Sequence, residues 1–175
     1  MTPPRVATAP RVVALGGGHG LAASLQSLRH LTEEITAIVT VADDGGSSGR
    51  LRQEFDILPP GDLRMALAAL CEDTAWGHQW SAVLQHRLGG NGELAGHALG
   101  NLLIMSLWEL LDNPVRGLDL VGRLLNTRGR VLPMCEVPLD IEATVLGADP
   151  REPEEMSVVK GQSRVAATPG RVMSV

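Results

Sequence analysis

Short apolar runs punctuated by glycine, proline and aspartate organise this chain, and they predict strands alternating with helices. The first run, Arg11 to Leu15, is brief and stopped by glycine, as a buried strand is. Leu21, Leu25, Leu28 and Leu31 then recur at helical spacing. Ile35 to Val41 is largely β-branched and alternates little, which suits a strand covered on both faces. Strand, glycine loop, helix and strand make a βαβ unit that opens a parallel sheet. Leu51 to Pro60 is expected to cross the surface, and Asp62 to cap a helix reaching about Leu70. Thr74 to Leu88 reads as a helix and Gly89 to Glu93 as a turn. Leu94 to Leu111 is apolar almost all round and is expected at the centre. Pro114 opens a helix ending near Asn126. From Arg130 the pattern changes: RVLPMC, LDIEATVL, SVVKG and GRVMSV are short segments of strand character.

Composition narrows this picture. A chain of 175 residues, 44% hydrophobic, suffices for one domain with a core. Aromatics are 2%, so that core must be aliphatic. A net charge of −5 argues against a nucleic-acid surface, which needs a clustered basic excess. Cys71 and Cys135 stand far apart and in no CxxC, and read as small buried hydrophobes in a reducing compartment. Residues 1–10 lack an apolar signal core and are expected to form a disordered arm. His97, Asn101 and Glu109 interrupt the longest apolar stretch, so a buried helix explains it better than a membrane span. A cytoplasmic location is expected.

Candidate chemistry gathers in a few polar motifs. The loop Gly16, Gly17, Gly18, His19, Gly20 fits the loose dinucleotide fingerprint in the register Gly18-x-Gly20-x-x-Ala23, with Asp43 and Asp44 following at a suitable distance. Its glycines either permit a turn alone or bring backbone N–H groups to an anion. DDGGSSGR is more specific, and falls at the carboxyl end of the second strand, where open α/β sheets bind ligands. Gly45 and Gly46 flank Ser47 and Ser48, whose N–H and O–H groups suit phosphate oxygens; Arg50 adds a charged fork. Asp43 and Asp44 suit ribose hydroxyls or Mg²⁺, or else cap a turn. Asp62 and Arg64 stand near the start of a helix. His97 and Asn101 lie four apart on one predicted helix face, lining a cleft or hydrogen-bonded within the core. Asn126 and Arg128 sit at a helix-to-strand turn, where capping is the simpler role. The remaining histidines show no metal-ligand spacing, and no nucleophile is evident.

Taken in order, GGGHGL, TAIVTVADDGGSSGRLR, PPGDLR, AGHALGNLL and NTRGRVLP resemble the YvcK-like proteins, the gluconeogenesis factors. These share a superfamily with CofD, the 2-phospho-L-lactate transferase. The resemblance runs from about Arg11 to the C-terminus and is most specific in DDGGSSGR. It implies an α/β, Rossmann-like three-layer fold with a mainly parallel sheet and a C-terminal part rich in short β segments. Residues 11–175 would be the N-terminal part of that domain. It further implies a regulatory protein without turnover that binds a UDP-sugar, UDP-N-acetylglucosamine or UDP-glucose, with Mg²⁺ an open question. The role implied is in cell-wall homeostasis and cell shape on gluconeogenic carbon, with cell-wall synthesis or regulatory proteins as partners.

The ligand positions carry over to Gly16, Gly17, Gly18, Gly20, Asp43, Asp44, Asp62, Arg64, His97, Asn101, Asn126 and Arg128. His19 stands where many relatives have threonine. Family members continue through a second glycine-rich motif, GPGSLYTS, that this sequence does not reach. An incomplete domain, and a homo-oligomer, are therefore expected. Two other readings stay open. One is a CofD-like transferase moving a phospho-lactyl group to a deazaflavin alcohol; the other is an NAD-binding oxidoreductase, disfavoured by the second acid.

Overall fold

A computed structural model of the chain describes residues 9–175, so most of the arm expected over 1–10 lies outside the described residues. Strand β1 (Val12–Gly16), helix α1 (Gly18–Leu28) and strand β2 (Ile35–Val39) form the predicted βαβ unit. Strand β3 (Arg130–Pro133) joins the far side of β2, giving a parallel sheet in the order β1-β2-β3. Between β2 and β3 the chain forms α2 (Gly46–Phe55), α3 (Pro60–Leu70), α4 (Ala75–Gln85), α5 (Leu99–Leu111) and α6 (Pro114–Leu125).

Register decides what this sheet buries. Ala14, Ala37 and Val131 stand in line across the strands, and with Ile35 and Val39 they face the core. Helices α1, α3 and α6 contact the strands, and α4 and α5 pack against α3 and α6. The opposite face carries Val13 and Leu15, 59% and 66% exposed. Two of the three expected layers are therefore present among the described residues.

The central helix is α3, not the apolar stretch ending at Leu111. Leu63, Leu67 and Leu70 are fully buried, and Ala66, Ala68 and Ala69 let neighbouring helices approach from all sides. Each such leucine contributes about 1.5–3 kcal/mol by leaving water. Helix α5 begins only at Leu99, and Leu110 on its outer side is 75% exposed. Small size counts for more here than hydrophobic content, because a helix wedged between neighbours must be narrow.

Two helices have no apolar signature in the sequence. The polar motif Asp43 to Arg50 and the surface crossing expected over Leu51 to Pro60 instead share α2, a poor helix former by composition with two glycines and two serines. Tertiary hydrogen bonds hold it instead: Ser48 Oγ accepts the Gly61 N–H at 3.0 Å. The C-terminal segments form an antiparallel meander, β4 (Glu142–Leu146), β5 (Met156–Lys160) and β6 (Arg171–Ser174), in the order β5-β4-β6. The short helix α7 (Gln162–Ala167) links β5 to β6. Cys71 is buried as expected, whereas Cys135 is half-buried; both are free.

Candidate functional site

A cleft of about 460 Å³ opens at the carboxyl ends of β1 and β2, lined by Gly17, Gly18, Thr40, Asp43 and Asp62 together with Ala42, Ile141 and Gln162. Gly17 caps α1, and Gly18, at φ +57, starts it in a left-handed conformation that glycine adopts without strain. A Cβ at Gly17 would collide with Thr40 Oγ1 and the Asp62 carboxylate. The glycine run is therefore needed for close approach as well as for the turn.

Asp62 does not cap α3. Pro59 holds that position, Asp62 lies in the first turn, and its side chain reaches across to the glycine loop. Thr40 Oγ1 donates to Asp62 Oδ2 at 3.4 Å. Burial pushes the Asp62 carboxyl above its usual range and the charge of Asp43 pushes it further; the Gly18 N–H, the Thr40 hydroxyl and Arg64 oppose both. Asp43 accepts the Gly45 N–H at 3.0 Å, which fixes the turn into α2. Asp44 points elsewhere and accepts the Ser163 N–H at 2.8 Å. Partial burial raises the Asp44 carboxyl, but the hydroxyl and N–H of Ser163 outweigh it and hold the group below the usual carboxylate range.

Behind the cleft runs a hydrogen-bond chain of predicted residues. Arg64 Nε donates to Asn101 Oδ1 at 2.8 Å, and Asn101 Nδ2 donates to Ser47 Oγ at 2.9 Å. Ser47 Oγ lies 3.0 Å from His97 Nδ1. Ser47 accepts from Asn101 and has both a proton and a second lone pair to offer His97 Nδ1, so the ring tautomer sets the direction of that bond. Burial lowers the His97 pKa, and Arg50 lowers it further against the pull of Glu54. Arg64 is 5% exposed, its Nη1 has no partner among the described residues, and burial followed by Arg87 pushes its pKa down to about 10.

The predicted residues thus divide by place. Gly17, Gly18, Asp43 and Asp62 face the cleft, with Gly16 and Gly45 in its supporting turns. Ser47, Ser48, Arg64, His97 and Asn101 are buried and tie α2, α3 and α5 together; the serine hydroxyls are engaged within the protein. His97 precedes α5 and does not share a helix face with Asn101; the two meet through Ser47. His19, Gly20 and Gly46 are exposed. Arg50 turns to the carbonyls of Glu93 and Ala95, at 3.3 and 2.8 Å.

Asn126 and Arg128 precede β3, at the amino end of the sheet and away from the cleft. Asn126 is the left-handed C-cap of α6 and donates to Glu72, while Arg128 reaches the Arg29 carbonyl and Glu33. A depression of about 320 Å³ lies there, but Asp119 and Arg130 in its wall neutralise each other through two 2.7 Å bonds. Thr40, Ile141 and Gln162 line the cleft unforeseen. Thr40 carried a signal, a hydroxyl at the carboxyl end of a strand; Ile141 and Gln162 come from the meander, whose fold-back no local pattern announces.

Residues 12–175 match the family model described as CofD, 2-phospho-L-lactate transferase CofD. A Mycobacterium leprae relative is 57% identical over 166 residues, 95% of this chain and 46% of that protein. The gluconeogenesis factor of Listeria monocytogenes serovar 1/2a is 40% identical over 158 residues, 90% of this chain and 46% of its own length. Among solved structures, a UPF0052 family member from Bacillus halodurans has a TM-score of 0.79 at 36% identity, covering 95% of this chain and 50% of that one. The chain spans about half the length of the curated relatives it matches. No helix among the described residues is long and apolar enough to cross a membrane.

Proposed function

Because the chain belongs to the CofD family, we propose that it acts as a gluconeogenesis factor: a cytoplasmic regulatory module that binds a UDP-sugar and ties carbon supply to cell-wall synthesis and cell shape. The observation that carries this reading is the pairing of Asp43 and Asp62 against the Gly17–Gly18 turn at the amino end of α1. A nucleotide diphosphate sugar has groups for both halves of that arrangement. Its hydroxyls donate to carboxylates, and its diphosphate suits a glycine-rich helix N-terminus. Names carried by relatives support the regulatory role.

The donor set Asp43, Asp62 and Thr40 is all oxygen, which fits Mg²⁺ held by one or two carboxylates together with phosphate oxygens. Bound there, the ion supplies charge neutralisation for the diphosphate. The protein's own part is to hold the two carboxylates at the loop and keep Asp62 partly out of water. The transferase reading has support at the level of the family description alone.

Calorimetric titration of UDP-N-acetylglucosamine, UDP-glucose, GDP and NAD, with and without Mg²⁺, tests the proposal on this chain and on a full-length relative. A ligand at 100 times its Kd should stabilise the protein by about 2.7 kcal/mol. Gly18→Val should abolish binding in a folded protein, since a β-branched residue disfavours positive φ. Equal or tighter NAD binding would favour the oxidoreductase reading. Phospho-lactyl transfer to a deazaflavin alcohol would favour the transferase.

A further inference from the structure

A second groove, of about 330 Å³, opens at the other end of α2, where the carboxyl ends of α2 and α5 come together. Its lining is partly apolar: Ile57, Leu58 and Trp108 contribute, and Phe55 is 45% exposed. The rim carries four acids, Asp56, Glu109, Asp112 and Glu136, and the lining contains no lysine or arginine. All four acids are exposed, and among the described residues none is ion-paired.

Two of these acids sit where folding alone would not put them. Asp56 and Asp112 are the C-caps of α2 and α5, in the left-handed region at φ 51 and 47. Glycine or asparagine suits that conformation better. A carboxylate there also opposes the negative end of the helix dipole. Helix α5 has no basic residue in its last turn to offset it. Both misplaced charges, and both helix ends, add negative potential to one groove with an apolar lining.

We propose that this groove is a docking site for a basic, partly apolar segment of a partner polypeptide. Its arginine or lysine side chains meet the acidic rim, and an apolar side chain rests against the exposed Phe55, beside the buried Trp108. A hydrated divalent cation would gain nothing from the apolar lining. Nucleic acid and anionic membrane would be repelled by the same rim.

The test uses the 175-residue chain with ¹⁵N-labelled tryptophan and three peptides of equal length: alternating Arg and Leu, alternating Arg and Ser, and alternating Glu and Leu. The Arg/Leu peptide should bind saturably and move the Trp108 indole signal, assigned through Trp108→Phe, while Trp76 and Trp80 stay put. The exposed pair Glu109→Gln with Glu136→Gln should weaken that binding tenfold or more. Asp56→Asn with Asp112→Asn, which keeps the left-handed caps, should do the same. Equal binding of the Arg/Ser peptide would reduce the effect to net charge and overturn the proposal. So would an unmoved Trp108 signal, indifference to both double variants, or full competition by spermine.

Discussion

The parallel-sheet body and the C-terminal meander are built to different depths. The body buries a continuous cluster running from Leu21 through α3 and α6 to Val131, with Trp108 at its flank. The meander's buried cluster is Ala143, Val145 and Val159, with Ala148 and Val165 packed alongside, and every residue of β6 is exposed. Yet the cleft is lined by both, since Ile141 and Gln162 face Gly17 and Asp62 across it. A well-packed half and a lightly packed half therefore share one site. A ligand bound there would touch both halves and so favour an ordered meander.

The largest expected effect would test the asymmetry directly. Leu67→Ala, at a fully buried position of α3, should cost about 2.7–5 kcal/mol and lower the stability of the whole chain. Val159→Ala in β5 should speed hydrogen exchange in β4 and β5 and leave α3 amides protected. Global unfolding by both variants would show one cooperative unit and break the comparison.

Asp44→Ala comes next, because the Asp44–Ser163 bond ties α7 to the body. It should cost about 1 kcal/mol, read as faster exchange from Gln162 to Ala167. The bond is also acid-sensitive. With its folded pKa below the ordinary value of 3.8, Asp44 contributes stability above that pH, and the contribution is lost as pH falls through the lowered pKa. Loss of α7 protection on acidification in the wild type, but not in the variant, would identify the group.

Asp62 has the opposite sign. Its pKa is raised, so the folded state binds a proton more readily than the unfolded state between 3.8 and the raised value. Stability therefore falls as pH rises through that window, and the cost is in full force at pH 7. Asp62→Asn should raise the Tm at pH 7, and the gain should vanish below pH 3.8. An unchanged Tm at pH 7 would mean that the Gly18 and Thr40 hydrogen bonds already offset the burial.

The smallest effect belongs to the body alone. Asp112→Asn should stabilise it by roughly 0.3–1 kcal/mol by removing a charge from a helix C-terminus. Exchange in the meander should not change. If it did, the two regions would be coupled through more than the cleft.

How far the chain could be read before folding follows the same divide. β1, β2 and the α1 periodicity were plain because each buries a contiguous or regularly spaced apolar set. Helix α2 was not, because its stability comes from Ser48 bonding to the start of the next helix and Ser47 to residues about fifty positions on. The depth of α3 was hidden in its alanines, whose worth appears only when neighbours close in. Strand character in the last forty or so residues was visible, but their antiparallel order was not, since direction depends on partners. At the site, Gly17, Gly18, Asp43 and Asp62 were foreseen and do converge. The role given to Asp62 was different, because a carboxylate in a first turn can turn outward to a loop as readily as inward to its own helix. Asn126 and Arg128 were displaced by topology: a parallel strand leaves at the end opposite to the one where its predecessor finished.

The chain of bonds from Arg64 through Asn101 to Ser47 runs in one direction and ends on His97, and this restricts which sequences can drift there. Position 47 must accept from Asn101 and bond to the His97 ring as well, so threonine is the natural neutral exchange, and alanine breaks the chain. Aspartate at 101 would satisfy Arg64 but have nothing to give Ser47, and leucine would strand both. A lineage that alters one of these residues must alter a neighbour soon after. The four positions should therefore evolve as a single character rather than as four.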